Sequence, residues 1–214
     1  MAKKFIPLLL ILFTAFSAPA WGKVYIDLAA PSQSAMPVAV QEFRDLGAAP
    51  ARDKALSDSI KKELYDAIVT DLRFSGFFKV IDAKANLEDP LKSGLTESET
   101  DFRSWRAIGA DALVKGGFLL EGDKLTVEIR FFDCVTEKLV IGKKFAGSAK
   151  NPRRIIHFFS DAVYGELTGK KGVFTSKILF VSGSGGNKEI YVSDYDGKNA
   201  AKLTRNRSIN LAPK

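Results

Sequence analysis

The sequence predicts an α/β domain of the α+β kind, a mixed sheet with helices packed on it, followed by a small all-β unit. Three observations predict it. Leu56, Ile60, Leu64, Ala67, Ile68 and Leu72 recur at helical spacing, and a very apolar run over 77–81 follows a break at Gly76. Leu125, Val127, Ile129 and Phe131 alternate with Thr126, Glu128 and Arg130, the pattern of a half-buried strand. After Lys171 the chain turns to short strand-like runs divided by tight turns.

Residues 1–22 stand apart. Lys3 and Lys4 make a positive start, residues 5–16 are almost wholly apolar, and Ala18-Pro19-Ala20 offers small residues for cleavage. That is the pattern of a secretory signal peptide. The apolar run is short for a membrane span, so no span is expected in the mature chain. Its removal takes away two lysines and no acid, lowering the formal charge of +7 by two. The remaining basic residues fall in scattered pairs, such as Lys61-Lys62 and Arg153-Arg154, with no aromatic interleaving. Nucleic acid is therefore not an expected partner. Cys134 is the single cysteine, so neither an internal disulfide nor a lipid-anchored N-terminus is expected.

The first domain is expected over residues 23–168. Lys23, Val24, Tyr25, Ile26, Asp27 and Leu28 alternate loosely and are rich in strand formers. Residues 29–36, with Pro31, read as a loop, and 37–43 as a strand. A loop over 44–53, with Gly47 and Pro50, ends at Asp53, the expected N-cap of the long helix. Asp58, Lys61, Lys62, Asp66 and Asp71 lie off its apolar stripe and are expected in water, with Asp58 one turn before Lys62. Gly76 can supply the left-handed residue that ends the helix. Phe74, Phe77 and Phe78 are core candidates. Residues 83–99 form a long polar loop with Pro90 and Gly94.

Phe102, Trp105 and Ile108 mark one face of a short helix, capped by Ser98 or Thr100 and ended by Gly109. Strands over 112–119, 125–131 and 139–145, joined by tight turns, make an antiparallel meander. Asn151-Pro152 opens the last helix, with Ile155, Ile156, Phe159, Ala162, Val163 and Leu167 as its apolar stripe and Gly169 at its end.

The second unit is expected over 169–214. Strands over 178–181, 189–193 and 200–203 resemble the first three strands of a propeller blade, which needs four. A truncated all-β propeller would leave an open edge, so residues after about Lys171 are expected to pack poorly.

No constellation in the sequence supports catalysis. His157, the single histidine, falls beside Arg154 and Asp161 and away from the stripe, and reads as a surface residue. One histidine and one cysteine argue against a zinc site, and a histidine triad lacks its partners. Gly183-Ser184-Gly185-Gly186-Asn187 lacks the following helix and Gly-Lys-Ser/Thr of a phosphate loop. Asp194-Tyr195-Asp196-Gly197 hints at a calcium loop, but Arg205 stands where the bidentate glutamate belongs, so it reads as a turn. No cofactor, metal or catalytic residue is expected.

Taken together, several blocks resemble the TolB family: Lys23-Val24-Tyr25-Ile26-Asp27-Leu28, Asp71-Leu72-Arg73-Phe74-Ser75-Gly76-Phe77-Phe78, Trp105-Arg106-Ala107-Ile108-Gly109-Ala110, the junction from Leu167 to Phe174, and Val192-Ser193-Asp194-Tyr195-Asp196-Gly197. The resemblance implies a periplasmic, non-catalytic adaptor of the Tol–Pal system. It implies an α/β domain and a propeller, with most of the propeller falling beyond Lys214. It also implies contact with TolA through residues 23–28 and with Pal through the propeller, in support of outer-membrane integrity and cell division. An extended, alternating strip suits the TolA role, since its unpaired backbone can add to a partner's sheet. The alternative is a stand-alone envelope α/β regulator, like lipoprotein activators of cell-wall synthesis or secretion assembly. The missing lipid-attachment cysteine argues against it.

Overall fold

A computed structural model describes residues 35–47, 53–82, 93–183, 186–206 and 208–210. The signal peptide over 1–22 and the strip Lys23 to Leu28 lie outside the described residues, as do Pro31, Pro50 and Pro90. The first unit runs β1 (Met36–Val40), β2 (Arg44–Asp45), α1 (Lys54–Phe74), β3 (Phe78–Val80), α2 (Phe102–Ala107), β4 (Ala112–Glu121), β5 (Lys124–Asp133), β6 (Lys138–Ser148) and α3 (Pro152–Thr168). The second holds β7 (Lys177–Ser182), β8 (Glu189–Asp194) and β9 (Ala201–Lys202).

The long helix forms as its sequence requires. The Leu56 amide donates to the Asp53 carboxylate at 3.0 Å, so the cap is made. Gly76 follows the helix at φ 73°, a backbone conformation that glycine takes without strain. Ile60, Leu64, Ala67, Ile68 and Leu72 are all buried. They lie on a mixed sheet ordered β3-β1-β4-β5-β6, with β2 paired to β4 off that path. β1 is parallel to both β3 and β4, while β4, β5 and β6 form the antiparallel meander. α3 packs beside α1 and brings Ile155, Ile156, Phe159, Val163 and Leu167 into the same core. Asn151 caps it, Pro152 occupies its first turn, and Gly169 ends it at φ 69°. Alternation sends Leu113 and Phe132 to the opposite face, where α2 covers them with Phe102 and Trp105. Both faces of the sheet are therefore covered near its centre.

The structure departs from expectation at several positions. β1 stops at Val40, and Phe43, though buried, lies in the connection to β2. Arg44 and Asp45, expected in a loop, pair in parallel with Gly117 and Phe118 of β4. Two glycines permit this approach. A Cβ on Gly116 would lie 2.3 Å from the Phe43 ring, and one on Gly117 would lie 2.8 Å from Leu46. The cap of α2 is Asp101 rather than Ser98 or Thr100, because its carboxylate reaches the Ser104 amide. Asp58 pairs with Lys61, and Lys62 with Asp66 at 2.5 Å, instead of Asp58 with Lys62. Lys115 is buried within β4 and donates to the Thr100 hydroxyl at 3.2 Å. Phe74 is 60 % exposed, not core, since it closes α1 beyond the edge of the sheet and leans on the second unit.

That second unit is an antiparallel sheet ordered β7-β8-β9. Ile178, Leu179, Leu203 and Ile209 are exposed, as expected of an uncovered blade. The expectation of poor packing fails in part, since Phe174, Glu189, Ser193, Asp194 and Tyr195 are buried.

Replacing Gly116→Ala should force the Phe43 ring from its place and lower stability by roughly 1–3 kcal/mol, as overpacking does; the urea midpoint of unfolding measures it. Cys134 is buried, and burial with the neighbouring Asp133 charge pushes its thiol up to about 12. It should stay unreactive to a chromogenic disulfide reagent at pH 8 until urea unfolds the chain.

Candidate functional site

The residues expected to bind partners, Lys23, Val24, Tyr25, Ile26, Asp27 and Leu28, lie outside the described residues. The described residues do converge elsewhere, where α1, α3 and the β8 turn meet. Asp71 stands at the centre. It sits beside Leu72 on the last turns of α1, just off the apolar stripe, and α3 packs over it. Its carboxylate is 0 % exposed. The expectation that Asp71 stays in water is therefore overturned: helix–helix packing closes the flank that the stripe leaves open.

Two donors satisfy that carboxylate. His157 Nδ1 lies 2.9 Å from one oxygen and 3.1 Å from the other. The Tyr195 hydroxyl donates to it from the second sheet. A carboxylate only accepts, so the network assigns the ring hydrogen to Nδ1. His157 is 3 % exposed, which corrects its reading as a surface residue. On an isolated α3 it would face water; the β8 turn covers it. Its Nε2 is buried, has no hydrogen-bond partner, and lies 3.9 Å from an Asp196 oxygen.

The turn is bound in from its other side as well. Arg153, one turn before His157, donates to Asp196, whose second oxygen takes the Lys198 amide at 3.0 Å. Asp194 accepts from Lys177 and from Asn199. Asp161 of α3 receives the Phe174 and Thr175 amides at 2.9 and 3.2 Å and the Thr175 hydroxyl at 2.6 Å, tying down the connection. Gly172 allows this, since a Cβ there would lie 2.1 Å from the Asp161 carboxylate. Tyr195 meets His157, Phe74 and Phe174 edge-on at 5.2, 4.9 and 5.4 Å.

The electrostatics match the contacts. Burial pushes the Asp194 and Asp196 carboxyls up, but their hydrogen bonds outweigh it. The bonds from Lys177 and Asn199 hold Asp194 below the usual carboxylate range, and those from the Lys198 amide and Arg153 do the same for Asp196. Burial, then the Asp71 hydrogen bond and charge, raise the Tyr195 hydroxyl far above its ordinary value. Three carboxylates thus face two permanent cations, Arg153 and Lys177.

The paired Asp71 and His157 have the order of an acid–base couple, but Nε2 looks onto a carboxylate rather than a hydroxyl. Ser160 Oγ, buried on the same helix, makes no hydrogen bond to it or to any other described group. The geometry of a serine hydrolase is not formed here. What the arrangement does is fasten one sheet to the helices of the other. The Asp194–Gly197 turn is legible in the sequence but its role is not, and no local pattern marks Asp71 or His157 as buried.

Truncating Asp71→Ala strands the Tyr195 hydroxyl and the His157 ring together. It should lower stability by about 3 kcal/mol, against roughly 1 kcal/mol for Tyr195→Phe. Urea unfolding ranks the two, and limited proteolysis should show the earliest new cuts after Lys171 in both.

Comparison with known proteins gives these contacts a family setting. Residues 24–140 match the family described as the TolB amino-terminal domain. The Tol-Pal system protein TolB of Syntrophotalea carbinolica is 37 % identical over 211 residues, covering 99 % of this chain and 47 % of that protein. The protein of the same name from Geobacter sulfurreducens is 38 % identical over 190 residues, covering 89 % of this chain and 42 % of its own length. The chain thus spans about half the length of the curated relatives it matches. The crystal structure of TolB from Acinetobacter baumannii superposes with a TM-score of 0.63 at 21 % identity, over 86 % of this chain and 42 % of that one. At that identity the likeness is one of fold, and it extends beyond the matched amino-terminal region. On the profile match, which spans more than half of its residues, the chain belongs to the TolB family.

Proposed function

We propose that this chain is a non-catalytic, periplasmic adaptor of a Tol–Pal system, which contacts TolA through residues 23–28 and Pal through a propeller that begins at β7. Family membership is the observation that carries this reading. It is supported by the composition of the strip, in which Val24, Ile26 and Leu28 alternate with Lys23, Tyr25 and Asp27. Such a segment can add as a strand to a partner's sheet and be read by pockets for alternate side chains. The sheet β7-β8-β9 supports the propeller assignment: it is antiparallel, its strands are short, and Ile178 and Leu179, on its two faces, are both exposed. No described helix is long and apolar enough to cross a membrane. Working in this way, the chain offers surfaces to other proteins.

The mature chain should bind the purified periplasmic domain of TolA in a calorimetric titration, and deleting residues 23–28 should weaken that binding at least tenfold with the circular dichroism spectrum unchanged. Binding that survives the deletion overturns the strip's role. A full-length relative should capture Pal from solution, and this chain, which spans about half the length of those relatives, should capture much less.

A further inference from the structure

We propose that the knot between α3 and the β8 turn is a binding site for a divalent transition-metal cation such as Zn2+, held by His157 Nε2 and the carboxylates of Asp194 and Asp196. This proposal does not rest on the Tol–Pal reading. His157, Asp194 and Asp196 each present one donor atom, and the three atoms all lie within 4.8 Å of one another. A tetrahedral site with bonds of about 2.0–2.2 Å needs its ligand atoms roughly 3.3–3.5 Å apart, so a movement of about 1 Å in the turn closes the set.

A second observation points to a ligand independently. His157 Nε2 is buried, has no hydrogen-bond partner and is directed at Asp196, 3.9 Å away. With the ring hydrogen on Nδ1, Nε2 is left as the open donor atom, and a cation between it and the Asp196 carboxylate would be held by both.

The outer surroundings are those of a metal-bound imidazole. A ligating histidine commonly donates its other N–H to a carboxylate, which fixes the tautomer and raises basicity. Asp71 accepts that bond from His157 Nδ1 at 2.9 Å, and the Tyr195 hydroxyl in turn holds Asp71 in place. Asp71, Asp194 and Asp196 bring three carboxyl groups together against the two permanent cations Arg153 and Lys177. A carboxylate oxygen has two lone pairs, so Asp196 can keep Arg153 while binding a cation. One nitrogen and two oxygen donors suit zinc, cobalt or nickel better than calcium or magnesium, which prefer all-oxygen sites. The ligands come from α3 on one side and the β8 turn on the other, so the cation would clamp the two sheets together. Counting only histidine and cysteine in the sequence overlooks such a site, since the fold supplies carboxylates.

The test uses the mature chain, freed of affinity tag and stripped of metal with a chelator. Addition of Zn2+ should raise the thermal midpoint by several degrees and saturate near one equivalent. Co2+ should give the visible absorption of a tetrahedral site. His157→Gln and Asp194→Asn should each abolish both effects, and Asp71→Asn should weaken binding about 10–100-fold. Should a variant unfold, nitrogen-15 NMR of the imidazole in the unaltered chain decides: Nε2 should shift on zinc addition. A midpoint unmoved by Zn2+, a cobalt band that survives in both His157→Gln and Asp194→Asn, or an Nε2 that carries a proton and ignores zinc overturns the proposal.

Discussion

The junction between the helices and the second sheet centres on the Asp71 carboxylate. A buried carboxylate without partners is strongly destabilising, and this one is held by groups from two separate places in the chain. His157 comes from α3 and Tyr195 from the β8 turn. The two helices and the second sheet therefore share one point of satisfaction. Loss of Asp71 strands both donors, which is why such networks tie together elements that sheet hydrogen bonds do not reach.

Around that point the apolar surfaces do the larger share of the work. α1 and α3 bury their stripes on one face of the mixed sheet, and α2 covers part of the other. That burial places Asp71 and His157 side by side, because the flanks of two packed helices meet where their stripes end. The aromatic cluster of Phe74, Phe174, Tyr195 and His157 then excludes water from the polar pair. Phe74 illustrates the division of labour: it contributes nothing to the core of the first unit and serves the junction instead.

The elements of the first unit were largely legible. Leu125 to Phe131 alternate, the α1 stripe repeats, and Asp53, Gly76, Asn151-Pro152 and Gly169 sit where caps and stops belong. These are local signals, and neighbouring residues decide them. β2 was not legible, because Arg44 and Asp45 have no strand character and pair only where Gly116 and Gly117 of β4 admit Phe43 and Leu46. The α2 cap is not decided locally, because Ser98, Thr100 and Asp101 are all competent and only the backbone's path chooses between them.

By itself the sequence determined the class of fold, the order of the helices and of the strands other than β2, and the family. Each follows from periodicity, capping chemistry and ordered blocks of residues along one chain. Only the tertiary structure decided that Asp71 and His157 are buried, that they meet Tyr195 and Asp196, and that the second sheet is anchored at its turn. The physical reason is separation: Asp71 and Tyr195 are 124 positions apart, and no helical or strand period reports on a pairing made across two layers. A polar residue at the edge of an apolar stripe looks solvated until another element closes over it.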